Sequence, residues 1–339
     1  MLPRVPLTSL PPLDLVRLFP GIEAYARTAT RLHPRPGVPS VSGSHVGGML
    51  LWPQHEPWPT CPGPHLIRTE IPVPPQVAAM LMMPGPETLV ALEQQVPGFA
   101  GVRTTEAGTV VLGTEVVSEP AGSPLVPLAQ LHAADVPDLR CPAGTDVLQV
   151  LWCPNEHPGD SPTGPPVLLK WRTASSVVDP LDAPPAPLVV SDEDYLPRPC
   201  VLHPEQITEY PWWRELPDEL GRRIRAFDDT RRFGEHGYYS ASRAPGWKVG
   251  GCPNWEVSDP IPMDCPHCHQ SMELLLTLDP TESGAGGAWL PVEESHLQPS
   301  HIDPEWKAAH EPTGVSVGRR LRIFVCLTCP DTPIRQNLQ

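Results

Sequence analysis

The sequence predicts a β-dominated α+β protein, and three observations support this prediction. The chain contains 50 prolines and 26 glycines among 339 residues, a composition that disfavours long helices and favours short strands joined by rigid loops. Hydrophobic residues make up 40% of the chain and include 10 tryptophans, so a core can form. Periodic apolar runs between the prolines are typical of a folded chain rather than a disordered one.

Three segments are predicted to be helices, and several more to be strands. Ile22–Leu32 has apolar residues on one helical face, Glu87–Val96 begins after Pro86 and ends before Pro97, and Asp218–Phe233 has the most regular helical spacing of apolar residues. The predicted strands are short, rich in Val, Leu and aromatic residues, and bounded by turn residues. They are Thr109–Val117, Asp146–Cys153, Pro166–Arg172 and Arg320–Cys326.

Two stretches of the chain share one order of residues. Ser44–His65 and Trp247–Cys268 both contain Val-Gly-Gly, then a Trp and prolines, then a Cys. Each stretch is followed by an apolar segment and then by a predicted strand that ends at a cysteine, Cys153 in the first case and Cys326 in the second. We therefore predict a divergent internal duplication.

The duplication suggests a division of the chain in which both repeats form one compact unit. A proline-rich, partly helical extension is expected first, and an acidic, proline-rich connector is expected between the repeats. The expected segments are an extension over 1–39, a first repeat over 40–178, a connector over 179–199 and a second repeat over 200–339.

These motifs, in this order, resemble the YwqG-like family of bacterial proteins. The residues that carry the resemblance are Val46-Gly47-Gly48 with Trp52, PLAQLHAADVP ending at Pro137, Val249-Gly250-Gly251 with Trp255, and PTGVSVGRRLRIFVC over Pro312–Cys326. The resemblance covers most of residues 40–330. It implies an α+β pseudo-barrel built from two intertwined repeats, and it implies no activity.

A more distant resemblance is to the programmed-cell-death ribosome-chaperone family. In that family a Gly-Gly-x-Pro-x-Trp segment precedes a Cys-x-x-Cys pair and a later strand that ends in cysteine. Here Gly250–Trp255, then Cys265 and Cys268, then Cys326 follow this order. The resemblance implies a protein-binding, chaperone-like role.

Charge and hydropathy limit the expected partners. The formal net charge is −15, which would repel a polyanion, so nucleic acid is not an expected partner. No apolar run is long enough for a transmembrane helix, and the N-terminal segment does not read as a signal peptide. We therefore expect a cytoplasmic protein with no membrane partner, whose nine cysteines are reduced.

Two Cys-x-x-Cys pairs predict a structural zinc site. Cys265 and Cys268 form one pair, and Cys326 and Cys329 form the other. This spacing lets both sulfurs of a pair reach one ion, and two such pairs supply the four ligands of a tetrahedral site. A redox pair at Cys265-Pro266-His267-Cys268 is the alternative, but it requires a thioredoxin-like strand before the pair and a long helix after it.

The first half has a cysteine and a histidine at each corresponding position. These residues are Cys61 with His65 and Cys153 with His157. The spacing is compatible with zinc but looser, and we interpret the histidines as solvated loop residues. A second metal site is left open.

The sequence therefore predicts a non-catalytic, protein-binding scaffold with a structural zinc ion. Its partner would be a protein, as for an immunity or chaperone-like factor, and its oligomeric state is open. The alternative is an enzyme with a cleft between the repeats, including a thiol-disulfide oxidoreductase at Cys265 and Cys268. The usual sequence motifs of hydrolases, metalloproteases and nucleotide-binding enzymes do not occur in the chain.

Overall fold

The computed structural model of the chain is built mainly from antiparallel sheets. It describes residues 8, 11–73, 90, 101–105, 108–119, 121–158, 164–232, 236–255, 258–284, 288–294, 303, 306–307 and 311–339. These residues form two six-stranded sheets, one three-stranded sheet and one two-stranded sheet. The predicted helix Glu87–Val96 lies outside the described residues except at Val90.

The described strands are mostly short, as the proline content predicts. In chain order they are β1 (Arg27–Arg31), β2 (Arg35–Pro36), β3 (His45–Val46), β4 (Thr60–Cys61), β5 (His65–Pro72), β6 (Gly101–Thr105), β7 (Gly108–Val117), β8 (Ser123–Pro124), β9 (Val126–His132), β10 (Val147–Trp152), β11 (Val167–Arg172), β12 (Cys200–Val201), β13 (Glu205–Glu209), β14 (Lys248–Gly250), β15 (Glu273–Leu278), β16 (Leu321–Val325) and β17 (Ile334–Leu338).

Helices are few and short among the described residues. The α-helices are α1 (Leu15–Leu18), α2 (Asp218–Asp228) and α3 (Tyr238–Ser242), and the 3-10 turns are Ile22–Tyr25, Ala174–Ser176, Glu193–Tyr195, Trp213–Glu215 and Val292–Glu294. Helix α2 confirms the strongest helical prediction. Its buried Leu220 and Ile224 pack in a cluster with Leu15 and Phe19 of the N-terminal segment.

The two large sheets have matching strand orders and exchange strands with each other. Sheet A has the order β13-β1-β14-β15-β16-β17, and sheet B has the order β2-β12-β3-β9-β10-β11. Strands β1 and β2 are consecutive in the chain but lie in different sheets, and so do β12 and β13. The N-terminal strand β1 thus pairs with β13 and β14, while β12 pairs with β2 and β3.

One apolar core joins the two large sheets. Val46, Leu128 and Leu148 from sheet B belong to the same buried cluster as Leu276 and Ile323 from sheet A. Burial of such side chains is the main favourable contribution to folding, at roughly 25 cal/mol per Å² of apolar surface. Because the cluster includes residues from both sheets, each sheet covers the apolar face of the other.

The two Val-Gly-Gly motifs lie where backbone comes close to another segment. Gly47 has a φ of 63°, and a Cβ there would lie 2.5 Å from the carbonyl oxygen of Arg198. Gly251 has a φ of 78°, and a Cβ there would lie 2.3 Å from a carboxylate oxygen of Glu209. Both positions therefore require glycine for conformation and for space.

The structure corrects one element and confirms others. The predicted helix Ile22–Leu32 is wrong, because only Ile22–Tyr25 forms a 3-10 turn and Arg27–Arg31 is strand β1. Pairing on both edges of β1 overrides the local helical pattern. The predicted strands within Thr109–Val117, Asp146–Cys153, Pro166–Arg172 and Arg320–Cys326 are confirmed as β7, β10, β11 and β16. The sheets of the described residues are open and none closes into a barrel, so the pseudo-barrel is not confirmed.

Candidate metal centres

The first pair of cysteines lies in a tight turn that leads into strand β15. The backbone N–H of Cys265 donates to the carbonyl of Gln270 at 2.8 Å, and the N–H of His269 donates to the carbonyl of Cys265 at 3.0 Å. His269 has a φ of 57°, which closes the turn. This arrangement places the Cys265 and Cys268 sulfurs on the same side of one short loop.

The second pair lies in the loop between β16 and β17. Cys326 is the first residue after β16, and its backbone N–H donates to the carbonyl of Pro333 at 3.0 Å. The N–H of Thr332 donates to the carbonyl of Cys329 at 3.0 Å. Because β15 and β16 pair directly, the two cysteine loops are brought together at one end of sheet A.

The four sulfur atoms converge on one point, as the sequence predicts. They lie within 4.8 Å of one another, with 3.8 Å between the sulfurs of Cys265 and Cys329 and 3.6 Å between those of Cys268 and Cys326. Sulfurs held about 2.3 Å from a zinc ion at tetrahedral angles lie about 3.8 Å apart, whereas a disulfide places them about 2.05 Å apart. The four free thiols therefore have the spacing of a tetrahedral metal site.

Hydrogen bonds favour one thiolate in this group. Desolvation opposes ionisation of Cys265, but hydrogen bonds from the backbone of Cys268 and His267 outweigh it and lower the pKa of this thiol to about 6. Desolvation and hydrogen bonds with the neighbouring thiols raise the pKa of Cys329 to about 12. When neighbouring thiols share protons, the pKa of one thiol falls and the pKa of another rises. A bound cation would displace the shared protons.

The surroundings of Cys265 differ from those of a catalytic redox pair. Cys265 is only 1% exposed, and the segment after Cys268 forms strand β15 rather than a helix. A helix N-terminus that lowers the pKa of the attacking thiol, as in thioredoxin-like proteins, therefore does not follow this pair.

A second group of possible ligands lies beside sheet B. Cys61 ends strand β4, His65 begins β5, Cys153 directly follows β10, and His157 lies in the next loop. The four ligand atoms lie within 4.8 Å of one another. Each cysteine faces a histidine, with 3.5 Å between Sγ of Cys61 and Nε2 of His157 and 3.5 Å between Sγ of Cys153 and Nε2 of His65.

Burial corrects the interpretation of His65 as a solvated loop residue. His65 is 1% exposed, and Cys153 is fully buried. Burial, reinforced by Cys61, raises the pKa of the Cys153 thiol to about 12, and burial lowers the pKa of His65. Without a cation, both side chains are therefore held in their neutral forms.

A groove of about 790 Å³ lies beside the four-cysteine group. Trp255, Met263 and Phe324 line it, and these residues belong to the same apolar cluster as Cys265 and Cys326. These three lining side chains thus share one packed cluster with two of the candidate metal ligands.

Three of the charged residues that line the groove, Asp138, Arg140 and Glu273, contact their neighbours. The Asp138 carboxylate accepts hydrogen bonds from Thr30 at 2.7 Å and from Gln206 at 3.1 Å. Arg140 and Glu273 form an ion pair at 3.1 Å.

Glu215 also lines the groove and caps a local turn. Its carboxylate accepts the backbone N–H of Trp212 at 3.1 Å. The carboxylates of Asp138, Glu215 and Glu273 therefore each have a role in holding local structure.

Within the described residues, no helix has both the length and the apolar character needed to cross a membrane.

Comparison with known proteins adds no assignment. No family model matches the chain, and no curated protein matches it.

Proposed function

We propose that the chain is a protein-binding scaffold in which a structural zinc ion at Cys265, Cys268, Cys326 and Cys329 supports one wall of the groove. The observation that carries this proposal is the shared packing of groove and ligands: Trp255 and Phe324 line the groove and contact the cluster that contains the cysteines. Structural zinc contributes directly to folding free energy. Binding of the ion would therefore fix the shape of the groove.

The proposed occupant is an extended segment of a partner protein. Apolar and charged side chains both line the groove, and the charged ones include Arg27 and Arg140 as well as Asp138 and Glu273. Protein interfaces also combine apolar and polar groups. A chain with a net charge of −15 would disfavour nucleic acid as the occupant.

Three further features belong to the proposal. The chain is a member of the YwqG-like family, acts in the cytoplasm, and arose by duplication of one unit. The matching strand orders of sheets A and B support the duplication. The proposed copies are 40–178 and 200–339, and β1 and β2 from the segment before residue 40 add one strand to each sheet. An immunity or chaperone-like role fits a scaffold that grips another protein.

The alternative of an enzyme has less support. The carboxylates of Asp138, Glu215 and Glu273 all accept hydrogen bonds from neighbouring groups. Acid–base catalysis requires a group that can reach substrate in the correct protonation state. The redox form of the alternative is opposed by the burial of Cys265.

The test is capture of partners from the native host with a groove variant and a matched control. Ile261 lines the groove and is 43% exposed, so Ile261→Asp combined with Arg140→Glu should abolish capture of the specific partner. Val38 is 96% exposed and lies outside the groove lining, so Val38→Asp should leave capture unchanged. Mass spectrometry identifies the retained proteins. If the groove variant retains the same proteins as the wild type, the groove is not the binding site.

A further inference from the structure

A second group of four ligand atoms lies in the first half of the chain. It consists of Cys61, His65, Cys153 and His157, and it is independent of the proposed protein-binding function. The four residues come from three separate parts of the fold, namely the end of β4, the start of β5 and the loop after β10. We propose that this group is a second zinc site of the Cys2His2 type.

The spacing of the ligand atoms carries this proposal. A sulfur at about 2.3 Å and a nitrogen at about 2.0–2.1 Å from a tetrahedral zinc ion lie about 3.5 Å apart. Sγ of Cys61 lies 3.5 Å from Nε2 of His157, and Sγ of Cys153 lies 3.5 Å from Nε2 of His65. All four ligand atoms fall within 4.8 Å of one another. Both cysteines are free thiols.

The arrangement of the rings fits a shared ion better than two separate hydrogen bonds. The rings of His65 and His157 lie edge to face, with centroids 4.9 Å apart. In this arrangement one ring nitrogen of each histidine lies within 4.8 Å of the other three ligand atoms. Two independent thiol–imidazole pairs would not require the four atoms to converge.

The position of the group in the fold matches that of the four-cysteine group. Cys153 directly follows β10 and donates its backbone N–H to Pro166 at 2.9 Å, and Cys326 directly follows β16 and donates to Pro333 at 3.0 Å. In each case the proline precedes the next strand of the sheet. Strands β10 and β16 occupy the same place in the matching orders of sheets B and A.

The ligand set selects the class of metal. Two thiolates and two imidazoles favour zinc and disfavour magnesium or calcium, which prefer oxygen ligands. The ion would also have a structural role, because β5 belongs to the three-stranded sheet β5-β7-β6 whereas β10 belongs to sheet B. A zinc ion between His65 and Cys153 would join these two sheets.

The inference predicts two zinc ions per chain and assigns them to different residues. The full-length protein, purified without chelators and reconstituted anaerobically with Zn²⁺ alone, is analysed for bound metal by elemental analysis. His157→Asn should lose one of the two zinc ions, whereas His157→Cys should retain both because it keeps a ligand. Cys268→Ser should also lose one, from the four-cysteine group. A His157→Asn variant with the wild-type zinc content would overturn the inference.

X-ray absorption at the zinc edge keeps the test independent of how well the variants fold. With both sites filled, the wild-type protein should show on average about three sulfur and one nitrogen neighbours per zinc ion. A shell of sulfur alone would mean that only the four-cysteine group binds metal, and the second site would be rejected. Circular dichroism of His157→Asn and His157→Cys then reports whether loss of metal follows from loss of the ligand or from unfolding.

Discussion

The sulfur atoms of Cys268 and Cys326 lie 3.6 Å apart, although the two residues are 58 positions apart in the chain. Direct pairing of β15 with β16 brings them together. The pairing of these two strands therefore holds both cysteine loops at one end of sheet A.

Removal of one ligand from the four-cysteine group should release one zinc ion. We expect Cys268→Ser to bind one zinc ion fewer than the wild type and to melt at a lower temperature, because the binding free energy of a structural metal contributes to folding. Elemental analysis and thermal unfolding measure the two effects. Cys141→Ser is the control, since Cys141 is a half-buried free cysteine outside both groups. Unchanged metal content and melting in Cys268→Ser would contradict a metal at this site.

Alkylation distinguishes a metal ligand from a redox thiol. We expect Cys265 to react slowly with iodoacetamide while metal is bound, because a coordinated and buried sulfur is inaccessible. After chelation the reaction should accelerate by at least about tenfold, since the pKa of the free thiol is lowered to about 6. Mass spectrometry of the modified peptide measures the rate. Fast alkylation of the metal-loaded protein and a reversible Cys265–Cys268 disulfide would instead support an oxidoreductase.

The strands were predictable from the sequence because their signal is local. The apolar runs at β10, β11 and β16 are bounded by turn residues, and the structure gives these strands nearly the predicted limits. The region of β1 was predicted as a helix because its pairing partners, β13 and β14, are distant in the chain. A local pattern contains no information about such partners.

Among the candidate metal ligands, too, some features were predictable from the sequence and others were not. The two Cys-x-x-Cys pairs were predictable, because each pair is contained in one loop and needs only a partner pair. The burial of His65 was not, because it depends on β4, β5 and the end of β10 meeting in space. The repeat itself could have indicated a second buried ligand group, because Cys153 and Cys326 follow strands that hold corresponding places in sheets B and A.

The exchange of strands predicts that the two halves of the chain cannot be separated. A single proteolytic cut within 179–199 would leave β1 in sheet A with β14, and β12 in sheet B with β3. We therefore expect the two fragments to co-elute in size-exclusion chromatography and to separate only in denaturant. Two fragments that separate under native conditions, each with its own cooperative melting transition, would disprove this expectation.

A buried ion pair at the second Val-Gly-Gly motif should be essential for stability. The Glu209 carboxylate accepts hydrogen bonds from the side chain of Lys248, from the N–H of Ala244 at 2.8 Å and from the N–H of Cys252 at 2.9 Å. Removal of one partner leaves a buried charge without compensation, which costs roughly 3–5 kcal/mol. We expect a loss of this size in the free energy of unfolding of Glu209→Ala, measured by denaturant titration.

Two further variants control the Glu209 measurement. Glu219 is exposed on helix α2, so Glu219→Ala should change the free energy of unfolding by less than about 0.5 kcal/mol. The double variant Glu209→Leu with Lys248→Met should recover part of the loss, because it removes both charges. A Glu209→Ala variant as stable as the Glu219→Ala control would show that the pair does not support the fold.

Acid should destabilise the protein through His45 at the first Val-Gly-Gly motif. His45 is fully buried, its Nε2 lies 2.9 Å from the carbonyl of Met49, and its Nδ1 accepts the N–H of Gly48 at 3.2 Å. A ring that accepts at Nδ1 and donates at Nε2 is neutral. Burial lowers the pKa of His45 to about 4, with a weaker contribution from His132 in the same direction.

Because the folded-state pKa of His45 is lower than the unfolded-state value near 6.5, its stabilising effect is fully present above about pH 6.5. It is lost as the pH falls from about 6.5 through about 4, where the unfolded state binds the proton first. Over that range the wild type should lose about 3 kcal/mol more than His45→Gln in the free energy of unfolding. Urea titrations at a series of pH values measure the difference, with His55→Gln as a control because His55 is exposed. Equal pH dependence in the wild type and His45→Gln would mean that His45 is protonated in the folded protein as readily as in the unfolded chain.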